Sequence, residues 1–173
     1  MKLTDTTRKF ILHWGEMGTR WGINRSVAQI HALLYVSPEP LPADEIAGTL
    51  EIARSNVSGS LRELQGWGLV RIAHKLGDRR DHFETPKDVW AMVRIIMEGR
   101  KRRELDPSVQ MLRECVEQLD EKKADEAYTE DRLNELLALL ELTSNWCERA
   151  QGLSPDSLRR LMKLGDKIFK LVE

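Results

Sequence analysis

Two cysteines in 173 residues provide no disulfide framework, and Cys115 and Cys147 have no metal-ligand spacing. The four histidines, His13, His31, His74 and His82, also lack ligand spacing. No stretch approaches the run of about 18 apolar residues that a membrane span needs. The N-terminus has no apolar signal-peptide core. There is no Gly-rich phosphate loop, no nucleophile elbow and no metal-plus-acid pair. No catalytic residue, metal site or cofactor is therefore expected, and the chain does not read as an enzyme. Together these absences point to a soluble, cytoplasmic, reduced protein. No repeat or low-complexity segment interrupts the sequence.

There is also almost no net charge, −1, but the average conceals a split. Residues 52–82 hold six basic and three acidic side chains, a balance of +3. Residues 104–131 hold ten acids against three bases, a balance of −7. Such a division suggests a basic working surface and an acidic remainder. With 41% hydrophobic residues the chain can bury a core.

The periodicity predicts helices almost throughout. The first, over about residues 4–21, carries Phe10, Trp14, Met17 and Trp21 at seam spacing, beside Gly15 and Gly18. Those glycines remove side chains where another backbone or a ligand approaches closely. Gly22 is a fitting C-cap. Ser26 is placed to cap a second helix, about 27–36. "SPEPLP" (37–42) reads as a loop, and Pro42 opens a third helix. "IARSNVSGSLRELQG" (52–66) forms a fourth. "LVRIAHK" (69–75) and "HFET" (82–85) read as two strands around the charged turn "LGDRRD" (76–81). From Asp88 the chain is helical to its end. Asp106-Pro107 is expected to open one helix, residues 129–149 to form a long one, and Ser154-Pro155 to open the last.

The fourth helix raises a question. Val57, Leu61 and Leu64 make a buried face, yet the opposite face holds Arg54, Ser55, Asn56, Ser58, Gly59 and Arg62. An interior glycine costs about 0.5–1 kcal/mol relative to alanine. A face so small, polar and basic suits a helix that enters the DNA major groove. Small residues let it sit deep, Ser and Asn reach base edges or phosphates, and Arg grips guanine with two hydrogen bonds. Two helices joined by a short turn and followed by a hairpin make a winged helix-turn-helix, whose second helix enters that groove. Arg79 and Arg80 in the wing then meet phosphates or the minor groove.

"LPADEIAGTLEIARSNVSGSLRELQGWGLVRI", the wing "GDRRDHFET" and the upstream "GEMGTRWGINRSVAQIHALLYVS" resemble the MarR-type winged-helix transcription factors, within them the GbsR-like branch. Ala53 departs from the Ser or Thr common at the start of the recognition helix. The resemblance implies a mainly α fold with a small two-stranded β-wing. It implies an N-terminal packing helix (1–25), a winged helix-turn-helix domain (26–88) and a helical dimerisation region (89–173). The recognition helix would span about 54–66 and the wing 76–82. The implied function is that of a homodimeric regulator, a repressor, on double-stranded DNA with a pseudo-palindromic operator, in choline, glycine betaine or osmotic-stress genes.

A quaternary ammonium effector such as choline is held by aromatic faces and a carboxylate. Trp14, Trp21 and Trp90, with Glu16, are the candidates, although tryptophans in such positions more often serve as core and interface anchors. His74 and His82 lie on the two wing strands. "RKRRE" (100–104) reads as a solvated helix end. The competing function is a winged-helix protein-interaction module that never meets DNA.

Overall fold

The structure, a computed structural model, describes residues 3–119 and 124–172, apart from the side chains of 124–126 and 166–172. Asp120, Glu121, Lys122 and Lys123 of the acidic run, and the side chains of Asp125, Glu126, Ile168 and Leu171, lie outside the described residues. The helices are α1 (Asp5–Arg20), α2 (Arg25–Val36), α3 (Ala43–Leu50), α4 (Arg54–Gly66), α5 (Val89–Arg100), α6 (Asp106–Glu117), α7 (Ala124–Gln151) and α8 (Pro155–Val172). The strands are β1 (Leu41–Pro42), β2 (Arg71–Lys75) and β3 (Asp78–Glu84). The chain divides into two compact units, Met1–Ile95 and Ile96–Glu173. Among the described residues, no helix is long and apolar enough to cross a membrane.

In the first unit α2 is the hub, packed against α1, α3, α4 and β3. Ile30, Leu33, Leu34, Ile46, Val57, Leu61 and Leu64 are fully buried and form its core. The glycines of α1 explain how tightly that helix approaches. A Cβ on Gly18 would lie 2.5 Å from Ala28 Cβ, and one on Gly15 2.6 Å from Gln29 Cγ. The close neighbour is thus α2. Gly22, with φ +76°, ends α1 in the left-handed region as expected. Asn24, rather than Ser26, caps α2: its side chain accepts from the Ser26 N–H at 2.8 Å. The cap lies two residues earlier than the apolar pattern suggested, because Arg25 and Ser26 are helical but not buried.

The wing has three strands, not two, in the antiparallel order β1-β3-β2. Leu41 pairs with Phe83 and Pro42 with His82. A two-residue strand shows no alternation, and a proline is tolerated in it because β1 is an edge. The hairpin turn is also shorter than expected. Leu76 and Gly77 alone connect the strands, so Arg79 and Arg80 stand on β3 rather than in the turn. Between the pairs Ala73↔His82 and Lys75↔Asp78, residues 79–81 face only His74, an irregularity that bends β3. His82 is buried while His74 is exposed.

In the second unit α6 packs on α7. Asp106 does not cap a new helix; it has helical φ −60° and ψ −44°, and a π-helical turn, Lys101–Leu105, leads into it. Pro107 has no N–H for the carbonyl four residues back, and its ring crowds that carbonyl. Widening the turn relieves both conflicts. "RKRRE" therefore lies mid-helix, where Lys101 Nζ meets Asp106 at 2.7 Å and Glu148 at 2.8 Å. Ser154 caps α8 through the Ser157 N–H, as the sequence suggested.

Two groups tie the first unit together in ways with measurable consequences. Lys87 Nζ donates to the carbonyls of Leu34 at 2.6 Å, Tyr35 at 3.2 Å and Ser37 at 2.5 Å, closing the end of α2. Desolvation lowers its pKa. His31, only 5% exposed, has Nε2 buried without a hydrogen-bond partner, and burial lowers its pKa to about 4.

The Gly18–Ala28 contact should behave as a coupled pair. Gly18→Ala should cost about 2 kcal/mol from overpacking despite its better helix propensity. Ala28→Gly in the same chain should restore most of the loss, measured by urea unfolding of the single and double variants.

His31 should make stability depend on acid. The unfolded chain takes up the proton near 6.5 and the folded chain only near 4, so stability present above 6.5 is lost as pH falls towards 4. At pH 4.5 the loss should be about 2–3 kcal/mol. His31→Leu should remove that increment from the difference between urea midpoints at pH 7 and pH 4.5.

Candidate nucleic-acid interface

Helices α3 and α4 are joined by Glu51, Ile52 and Ala53. Glu51 takes the left-handed conformation, φ 57° and ψ 40°, a position that usually favours glycine. The chain reverses there within three residues, and the Ile52 N–H returns to the Ala47 carbonyl at 3.1 Å. Ala53 gives α4 no side-chain cap, so the first amides of α4 have no capping oxygen from it.

The inward face of α4 is the one the periodicity identified: Val57, Leu61 and Leu64, joined by Ser60. Opposite them stand Arg54, Ser55, Asn56, Ser58 and Arg62, all exposed. A Cβ on Gly59 would meet nothing within 4 Å, so this glycine leaves open space on the outward face and not a packing notch. The polar side chains are partly organised. Asn56 Nδ2 donates to Ser26 Oγ at 3.2 Å, Ser58 Oγ to the Arg54 carbonyl at 3.0 Å, and Arg62 Nε to the Ser58 carbonyl at 3.4 Å.

The two wing arginines have different surroundings. Arg79 is exposed and forms no ion pair among the described residues. Arg80 is held on two sides: its guanidinium donates to Asp78 Oδ2 at 2.6 Å and to Asp44 Oδ2 at 2.9 Å. Asp78 Oδ1 also accepts from the Arg80 backbone N–H at 3.0 Å. The hydrogen bond from the Arg80 side chain, followed by that from its backbone, holds the Asp78 carboxyl well below the usual range. Asp44 is lowered by its own backbone N–H and then by Arg80. The bond to Asp78, then that to Asp44, raises Arg80 in turn. His82 Nδ1 lies 2.9 Å from the Arg80 carbonyl, and its Nε2 lies 3.5 Å from Asp78. Arg80 thus links the wing to the first turn of α3. No local spacing signals this link, because Asp44 lies 36 residues away.

Trp14 stacks on Phe10 at 5.6 Å. Glu16 lies two residues further, about 200° round the helix, and faces Arg25 at 4.0 Å. Trp21 is exposed beyond the end of α1, and Trp90 is half-buried in the first turn of α5.

A helix-turn-helix followed by a braced antiparallel wing is the architecture of a winged-helix domain. Residues 21–81 match the model of the MarR family. It is similar to the HTH-type transcriptional repressor GbsR of Bacillus subtilis (strain 168), 26% identical over 119 residues. That match covers 69% of this chain and 66% of the relative, just under two thirds of its length. A transcriptional regulator of known crystal structure has the same fold, with a TM-score of 0.65 at 21% identity over 85% of this chain and 96% of that one. Both are named as regulators of transcription.

Neutralising the two arginines should have separable effects. Arg80→Ala should speed amide hydrogen exchange in β3 and at the start of α3, because the link between them is cut. Arg79→Ala should leave those exchange rates unchanged, as read by exchange mass spectrometry.

Proposed function

We propose that the protein is a dimeric, sequence-specific DNA-binding regulator of transcription, with α4 in the major groove and the wing beside it. The outward face of α4 carries this reading. It is polar and basic, and at Gly59 it is open, which matches the needs of a helix lying deep in a groove about 12 Å wide. Ser55, Asn56, Ser58 and Arg62 are placed for base edges or phosphates, Arg54 and Arg79 for phosphates, and the uncapped start of α4 presents amides that suit an anion. Arg80 contributes by orienting the wing. Repression is supported by the likeness to GbsR, a repressor by name.

Dimerisation is supported within the second unit. Leu139, Leu142 and Trp146 repeat along one face of α7 and are more than half exposed, as are Met162 and Leu164 on α8. A second copy of the chain covers such surfaces in a two-fold assembly, and residues 96–173 would then be its principal interface. A palindromic operator follows from that symmetry. For the quaternary ammonium effector, the stacking of Trp14 on Phe10 favours an anchoring role over an aromatic cage.

The test is Gly59→Glu. The variant should melt like the wild type, since its side chain meets open space, and should sediment as the same dimer at micromolar concentration. Its affinity for a duplex selected by the wild-type protein should fall at least a hundredfold, because a charged side chain holds the helix off the phosphates. Undiminished affinity would remove α4 from the groove and favour a protein-interaction module.

A further inference from the structure

Leu76 is the most exposed large apolar residue among the described residues, at 104% of its reference area. It stands at the tip of the wing, next to Gly77, whose φ of +84° makes the turn tight. Single exposed leucines are ordinary on protein surfaces. This one is distinguished by its setting. Lys75 before it and Arg79 shortly after are both exposed, so an apolar tip is flanked by two cations. The strand leaving the turn is braced at Asp78 and Arg80, whose guanidinium also reaches Asp44 on α3. The wing therefore presents Leu76 at a fixed place relative to α4. A two-residue turn is also narrow enough to approach a minor groove about 6 Å wide, which a helix cannot enter.

We propose that Leu76 is an apolar wedge that enters the DNA minor groove beside the α4 site and loosens the base step beneath it. The proposal rests on the DNA-binding reading above. Aliphatic side chains that enter the minor groove partly unstack a step and favour flexible pyrimidine–purine sequences. Lys75 and Arg79 would straddle the groove and hold its two phosphate walls. Leu76 would then add sequence preference at a position that no hydrogen-bonding side chain reads. Its burial against the groove also replaces water on an otherwise fully wetted side chain.

The experiment uses the full-length protein and a duplex recovered from a random pool by the wild type. 2-Aminopurine is placed in turn at each step flanking the α4 footprint. Wild-type binding should raise 2-aminopurine fluorescence at one step on each side. Leu76→Ser should abolish that rise and weaken binding about tenfold or more, with an unchanged salt dependence, because no charge is lost. Leu76→Met should retain both signals. Leu76→Ser with wild-type affinity and an unchanged fluorescence rise would overturn the wedge while leaving the DNA-binding reading intact. Failure of the wild type to enrich any duplex would overturn the DNA-binding reading, and the wedge with it.

Discussion

The first unit depends on the burial of α2. The last carbonyls of a helix have no helical donors, so those of α2 need partners from outside the helix. Lys87 supplies them with one ammonium shared among three carbonyls. The residue lies just beyond β3, so the donor that closes α2 also fixes where the chain leaves the wing. The sheet, the helix-turn-helix and the hub helix are consequently registered against one another by a few polar contacts. Thr85, whose hydroxyl donates to the Leu69 carbonyl at 2.7 Å inside the core, adds another.

That registration gives the wing arginines different roles. A cation that binds phosphate must be able to exchange its water for the nucleic acid. Arg80 is committed to two carboxylates, whereas Arg79 is exposed and forms no ion pair among the described residues. Charge counting treats the two alike, and only the second is freely available. The net positive charge of residues 52–82 is thus partly structural.

What the sequence revealed and what it concealed follow from the range of each interaction. The face of α4 was legible because Val57, Leu61 and Leu64 repeat with the helical period, so every other position is assigned by rotation. The close approach at Gly15 and Gly18 was legible as a gap, though its occupant was not. Strand β1 was hidden because its two residues have no pattern of their own and acquire strand geometry only by pairing with β3. The Asp44–Arg80 contact joins elements far apart in the chain, and no local spacing predicts it. Asp106-Pro107 misled for a different reason. A dipeptide well suited to a helix start can also be absorbed inside a helix when the turn widens. Leu76 has no pattern to mark it, because a lone apolar residue in the charged turn LGDRRD repeats with no period.

The contact between Gly18 and Ala28 bears on how this protein can diverge. The two positions share a single small volume, so neither is free to drift alone. A larger residue at one is admissible only after the other has shrunk, and glycine and alanine are already the two smallest. Lineages that keep this helix pair should therefore exchange these two residues as a unit or not at all. The first helix is thus held to its neighbour by an inherited constraint on size, while the outward face of α4, open at Gly59, carries no such constraint.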